Sequence, residues 1–206
     1  MTEKIIPELQ AYVEKVIIPQ YDHFDKAHQR DHVEMVIRQS LQLARQLGAD
    51  QNMAYTIAAF HDTGLCEGRE RHHLVSAEII RADKMLPTWF CREQIETMAE
   101  AAEDHRASAQ QEPRTLYGRI IAEADRCIEP LTVIQRTIQF GLHHYPELSR
   151  EEHFQRMMTH LREKYGRGGY LHLWFEDSPN AHQLEQLRRM IDDEQAMRSV
   201  FNNYLP

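Results

Sequence analysis

The chain places two aspartates where a charge is costly, and histidines near enough in sequence to answer them. His61-Asp62 closes the apolar stretch Ala58-Ala59-Phe60 and is followed by Thr63-Gly64. Asp125 ends a second apolar stretch, Ile120-Ile121-Ala122-Glu123-Ala124. A carboxylate on a buried stripe is unfavourable unless its charge is compensated. A metal ion would compensate it, and His32 lies on the apolar stripe of its own segment as a further donor. Mixed imidazole and carboxylate donors suit Mn, Fe, Co, Ni, Zn or Mg and leave positions open for water and an oxyanion.

Composition bounds what such a site could serve. At 206 residues, 42% hydrophobic and 27% charged, the chain reads as one globular domain. A net charge of −8 argues against binding nucleic acid through a broad basic face. No apolar run approaches the ~18 residues of a membrane span, and MTEKIIPELQ has no signal-peptide core. Cys66, Cys91 and Cys127 form no CxxC pair, so neither a disulfide scaffold nor a thiolate zinc site is expected. The expectation is a cytoplasmic protein with no membrane or nucleic-acid partner, its oligomeric state left open.

The elements that must position these residues read as helical throughout, so the class is all-α. Pro7 opens a helix with Leu9, Tyr12, Val13, Val16 and Ile17 on one face, and Pro19 ends it. Ala27–Leu47 carries His32, Val33, Val36, Ile37, Ser40, Leu41, Ala44 and Leu47 at helical spacing, closed by Gly48. Shorter helices follow over Met53–His61, His72–Met85, Thr88–His105, with Thr88 as cap, and Leu116–Ile128. Leu65–Arg71 and Ala107–Arg114 read as loops. Leu131–His144 presents Leu131, Ile134, Ile138 and Leu142, and Ser149 with Glu152 forms a capping box for the next helix. Gly166, Gly168 and Gly169 precede Tyr170–Phe175, an irregular segment read as a lid over the site or a packed connection, before a last helix over His182–Tyr204.

Together these residues resemble the HD superfamily of metal-dependent phosphohydrolases, which place a histidine, a His-Asp pair and a distant aspartate on successive helices of a bundle. The matching residues are His32 in AHQRDHVEMV, His61-Asp62 in AAFHDTGL and Asp125 in IIAEADRCIEP. The resemblance covers roughly 22–130. It implies a single HD-type domain over 1–206, with 131–206 as a C-terminal helical extension. Members with two metals use two further histidines, and the resemblance offers His72 in HHLVSAEII, with His73 beside it, and His105 in AAEDHRAS. It assigns His32, His61, Asp62 and Asp125 to a first divalent metal ion. His72 and His105 would join a bridging Asp62 on a second, with Asp62 and His61 at the catalytic centre. ADRCIEP is similar to the ending in HD-type diadenosine tetraphosphate hydrolases. Here, however, Leu65 and Cys66 stand where those enzymes usually carry a lysine, and the acidic pair of the alarmone hydrolases is absent.

The implied chemistry is hydrolysis of a small phosphorylated substrate, a nucleotide being expected, by attack of metal-bound hydroxide on phosphorus. Arg69, Arg71, Arg106 and Arg126 lie beside the motif residues and could clamp phosphate. Asp104 or Glu67 could serve as acid or outer partner. Alternatives remain. The protein could be a two-metal dinucleoside polyphosphate hydrolase, or a ligand-binding HD module without turnover. His72 and His105 could be surface residues at helix ends. The pair His143-His144 reads as exposed, and His153 and His160 as a solvated helix face.

Overall fold

A computed structural model describes residues 4–25, 28–106, 111–126 and 128–205. The all-α expectation holds: no strand occurs among the described residues. The chain divides into two compact units, Met1–Arg126 and Cys127–Pro206.

The first unit is built from α1 (Pro7–Tyr12), α2 (Arg30–Leu47), α3 (Gln51–Phe60), α4 (His72–Ala82), α5 (Arg92–Asp104) and α6 (Leu116–Ala124). Its centre is α3, whose residues are all buried. Such a helix is buried all round, mostly by apolar residues, because it has neighbours on every side. The Asp50 carboxylate accepts from the Asn52 and Met53 amides to start it. Around it, α2 packs on α3 and α6, and α5 packs on α3, α4 and α6. At the far end of α2, Gly48 takes φ +66° as the expected C-terminal cap.

Several local expectations are corrected. Pro19 does not end the first helix. The chain passes through a π turn at Val13–Ile17 into a 3₁₀ turn at Ile18–His23, and Pro19 sits in the first turn of the latter, where its missing N–H costs nothing. The wider π turn rotates Val16 out to 48% exposure and brings Ile17, Ile18 and Tyr21 inward. The second helix begins at Arg30; Ala27 lies outside the described residues. Thr88 caps nothing; it ends a 3₁₀ turn, and Cys91 with Gln94 forms the box that opens α5. The helix before Asp125 stops at Ala124, so Asp125 stands at its C-terminal end. Part of the predicted loop at 107–114 lies outside the described residues.

The second unit contains α7 (Pro130–His144), α8 (Arg150–Tyr165), α9 (Pro179–Asp192) and α10 (Glu194–Tyr204). Ile134, Ile138, Phe154, Met157, Leu161, Leu187 and Phe201 form its core. Ser149 and Glu152 make the reciprocal box that opens α8. On α8, His153 is buried, not solvated, while His143 and His144 are exposed. The predicted last helix is two, because Asp193 leaves helical geometry (φ −102°, ψ 91°) and its carboxylate caps α10. Within the segment Tyr170–Phe175 that follows the glycines, Leu171 is buried and Leu173 packs on the core, while Tyr170 is exposed. No helix among the described residues is long and apolar enough to cross a membrane.

Candidate metal centre

Five helices of the first unit deliver six side chains to one place. His32 comes from the first turn of α2, and His72 begins α4. His61, His105 and Asp125 are the C-terminal caps of α3, α5 and α6. Asp62 follows His61 directly. A helix carries partial negative charge at its C-terminus, so three such ends converging on one cluster favour a cation there.

The donors fall into two sets. In the first, His32 Nε2 is 3.1 Å from Asp125 Oδ1, 3.3 Å from His61 Nε2 and 3.6 Å from Asp62 Oδ2. His61 Nε2 is 3.3 Å from Asp62 Oδ2 and 3.6 Å from Asp125 Oδ1. In the second, His72 Nε2 and His105 Nε2 are 3.2 Å apart and lie 3.4 and 3.5 Å from Asp62 Oδ1. Asp62 therefore offers one oxygen to each set. The ligand atoms of His32, His61 and Asp62, and separately those of Asp62, His72 and His105, are close enough to share one ion.

The residues fit divalent metal on two counts. Donors bonded to a common ion at about 2.0–2.2 Å are typically about 3.0–3.6 Å apart, the range seen in both sets. The tautomers agree as well. Nδ1 of His61, His72 and His105 donates to the carbonyl three residues earlier, Ala58 at 2.8 Å, Arg69 at 2.8 Å and Ala102 at 2.6 Å. Each Nε2 is left with its lone pair facing the cluster. Two lone pairs facing each other at 3.2 Å, as in His72 and His105, repel unless a positive charge lies between them.

Electrostatics point the same way. Burial opposes the charge on Asp62, yet His61, His105 and His32 hold its carboxyl well below the usual range. Asp125 is likewise held low against its burial by His32 and His61. The carboxylates in turn outweigh burial at His32 and His61 and raise both rings, His61 strongly. Burial pushes His72 down, with His105 and Arg106 adding to it, so its ring favours the neutral form that binds metal. The cluster thus keeps two ionised carboxylates and draws in positive charge, which protons supply when metal does not.

The expected phosphate clamp is dispersed. Arg69 and Arg71 are exposed, Arg106 donates from Nη1 to the Glu70 carbonyl at 3.0 Å, and Arg126 is buried. Asp104 is held by Arg114 through its carboxylate, and Glu67 is exposed in the 3₁₀ turn after Asp62.

Two residues near the cluster carry no motif. Tyr21 is fully buried, its hydroxyl donating to the Ala59 carbonyl at 2.9 Å and accepting from the Asp62 amide at 3.3 Å. It braces the turn that holds His61 and Asp62; its only sequence signal is its place beyond the apolar Ile17-Ile18. Tyr21→Phe leaves two buried backbone groups unpaired, so an expected loss of about 2 kcal/mol should appear in urea unfolding, with weakened metal affinity. His28 lies four residues before His32, and its ring meets that of His32 edge-on at 5.7 Å between centroids.

Residues 30–129 match the family model described as HD domain. No curated protein and no solved structure matches the chain.

Proposed function

We propose, on the premise that residues 30–129 are an HD domain of the metal-dependent phosphohydrolase superfamily, that the protein hydrolyses a small phosphorylated compound, a nucleotide by preference. The observation that carries this reading is the sharing of Asp62 between two donor sets. His32, His61, Asp62 and Asp125 would hold one divalent cation, and Asp62, His72 and His105 a second. Such cations acidify water towards a pKa of about 7 and neutralise charge on phosphoryl oxygens. The protein's own part is to orient and to bind. Backbone carbonyls fix the imidazoles of His61, His72 and His105, and Tyr21 fixes the Asp62 backbone. Arg69, Arg71 and Arg106, near the start of α4 and the end of α5, are the cations proposed to meet the substrate phosphates. The buried Arg126 adds positive charge next to Asp125.

The second donor set favours a two-metal enzyme, with dinucleoside polyphosphates among its candidate substrates. Protein purified without added metal should contain bound transition metal by elemental analysis. It should also release phosphate or nucleotide in a screen of mononucleotides and dinucleoside polyphosphates with Mn, Co, Mg and Ni. Metal and nucleotide binding without turnover would leave the ligand-binding module in its place.

A further inference from the structure

The second donor set depends on a helix end that is poor by itself. His105 caps α5, and the last apolar residues before it are the small Ala101 and Ala102, which bury little surface. The rest of that turn is acidic. Glu100 stands three residues from Glu103 and four from Asp104, so like charges face each other. They also crowd the negative pole of the helix, and the last turn holds no basic residue to offset them. Left alone, such a turn frays, and His105 would move with it.

Arg114, from the segment that leads into α6, counters this. Its Nε donates to Asp104 Oδ2 at 3.0 Å and its amide to the same oxygen at 2.8 Å. Its Nη2 lies 3.0 Å from Asp104 Oδ1 and 3.3 Å from the Glu100 carbonyl oxygen, and also meets Glu103 Oε2. Its Nη1 faces Glu100 Oε1 at 3.7 Å. One guanidinium thus engages all three acidic residues of the turn. Glu103 gives its other oxygen to Arg81 Nη1 of α4 at 2.8 Å, and Arg81 Nη2 donates to Glu96 at 2.6 Å. The network therefore joins the helix of His105 to the helix of His72, whose Nε2 atoms lie 3.2 Å apart. An isolated exposed ion pair contributes little; a network with forked guanidinium geometry is the exception.

We propose that Arg114 is a positioning residue of the metal centre: by fixing the last turn of α5 it holds His105, and so the second donor set, in place. It acts through Asp104, Glu103 and the Glu100 carbonyl, not on the ligand itself. The inference rests on the two-metal reading above.

Charge gives the test its sign. Arg114→Ala deletes a positive charge beside Asp104, one residue from His105, and that alone would strengthen binding of a cation. Weaker binding can come only from displaced ligands. Calorimetric titration with Mn should count two ions in the wild type and one in His105→Ala. In Arg114→Ala the Kd of the ion lost by His105→Ala should rise at least about tenfold, the lower end of what losing an orienting group costs, while the other ion keeps its affinity. Arg114→Lys, which retains the charge but not the fork, should fall between. In metal-free protein, amide hydrogen exchange over residues 101–105 should quicken in Arg114→Ala and stay unchanged in α2 and α3. A lower Tm with both affinities unchanged makes Arg114 a purely structural residue, and tighter binding leaves only its charge; either overturns the proposal. Equal weakening of both ions, or unaltered exchange over 101–105, also overturns it. Wild-type protein that binds one ion or none overturns the two-metal reading, and the role of Arg114 with it. Two ions bound alike by wild type and variant remove the role of Arg114 alone.

Discussion

Replacing Asp62 by alanine is expected to remove bound metal and, on the phosphohydrolase reading, to lower phosphate release by at least about a thousandfold, equivalent to about 4 kcal/mol of barrier. The size follows from the position of one carboxylate in both donor sets, with Oδ2 facing His32 and His61 and Oδ1 facing His72 and His105. Among the six clustered residues, no other replacement deprives both sets of a ligand at once. A change at His105 leaves the first set whole, and one at Asp125 leaves the second. Elemental analysis reads the loss directly. A second measurement is independent of turnover: metal at 100 times its Kd should stabilise the wild type by about 2.7 kcal/mol and the variant not at all. Unchanged helical circular dichroism shows that the fold survives. Full activity in Asp62→Ala would remove the basis for the metal centre.

Gly64→Ala should be the most damaging single methyl in the first unit. A Cβ at Gly64 would lie 2.1 Å from the His72 carbonyl oxygen, 2.6 Å from the Ser76 amide nitrogen and 2.9 Å from Val75 Cβ. Two of these are backbone atoms of α4, so no rotamer change relieves the clash. The Gly64 amide also donates to Ser76 Oγ at 2.9 Å, which ties the turn after Asp62 to the same helix. Overpacking of this kind costs about 3 kcal/mol, or more where backbone must move. A Tm fall of roughly 6–12 °C is expected for a chain of this size. The functional consequence is selective. Displacing α4 carries His72 away from Asp62 Oδ1 and spoils the second set, while His32 and His61 stay where α2 and α3 hold them. Metal content should drop by one ion in protein that binds two. Unaltered Tm and stoichiometry would contradict this packing.

What the sequence disclosed and what it hid separate along physical lines. The all-α class was legible because apolar residues recur at helical spacing through most of the chain. His61-Asp62 and Asp125 were legible because a carboxylate on an apolar stripe is conspicuous. Helix ends were harder. Asp193 breaks the last helix although no proline or glycine marks it, and the π turn before Ile18 rotates the apolar face of the first helix by an amount that residue identity does not encode. Val16 and Leu131 fall on predicted buried faces yet are exposed, because a three-or-four spacing fixes a stripe but not which edge of it meets a neighbour. Tyr21 and His28 were hidden for another reason. Their contacts to Asp62 and His32 depend on how the turns before α2 are folded, and nothing local in sequence reports it.

The backbone hydrogen bonds of the three imidazoles carry a further implication. Metal-bound histidines commonly lean on an acidic side chain, and replacing that neighbour retunes the ion. His61, His72 and His105 lean on the carbonyls of Ala58, Arg69 and Ala102. A carbonyl belongs to the main chain and survives every substitution. Drift at positions 58, 69 and 102 can alter bulk or charge, but it cannot delete those acceptors. Retuning of a metal held there would therefore be channelled to the ligands themselves and to the surface around them, while the orientation of the rings is inherited with the helices.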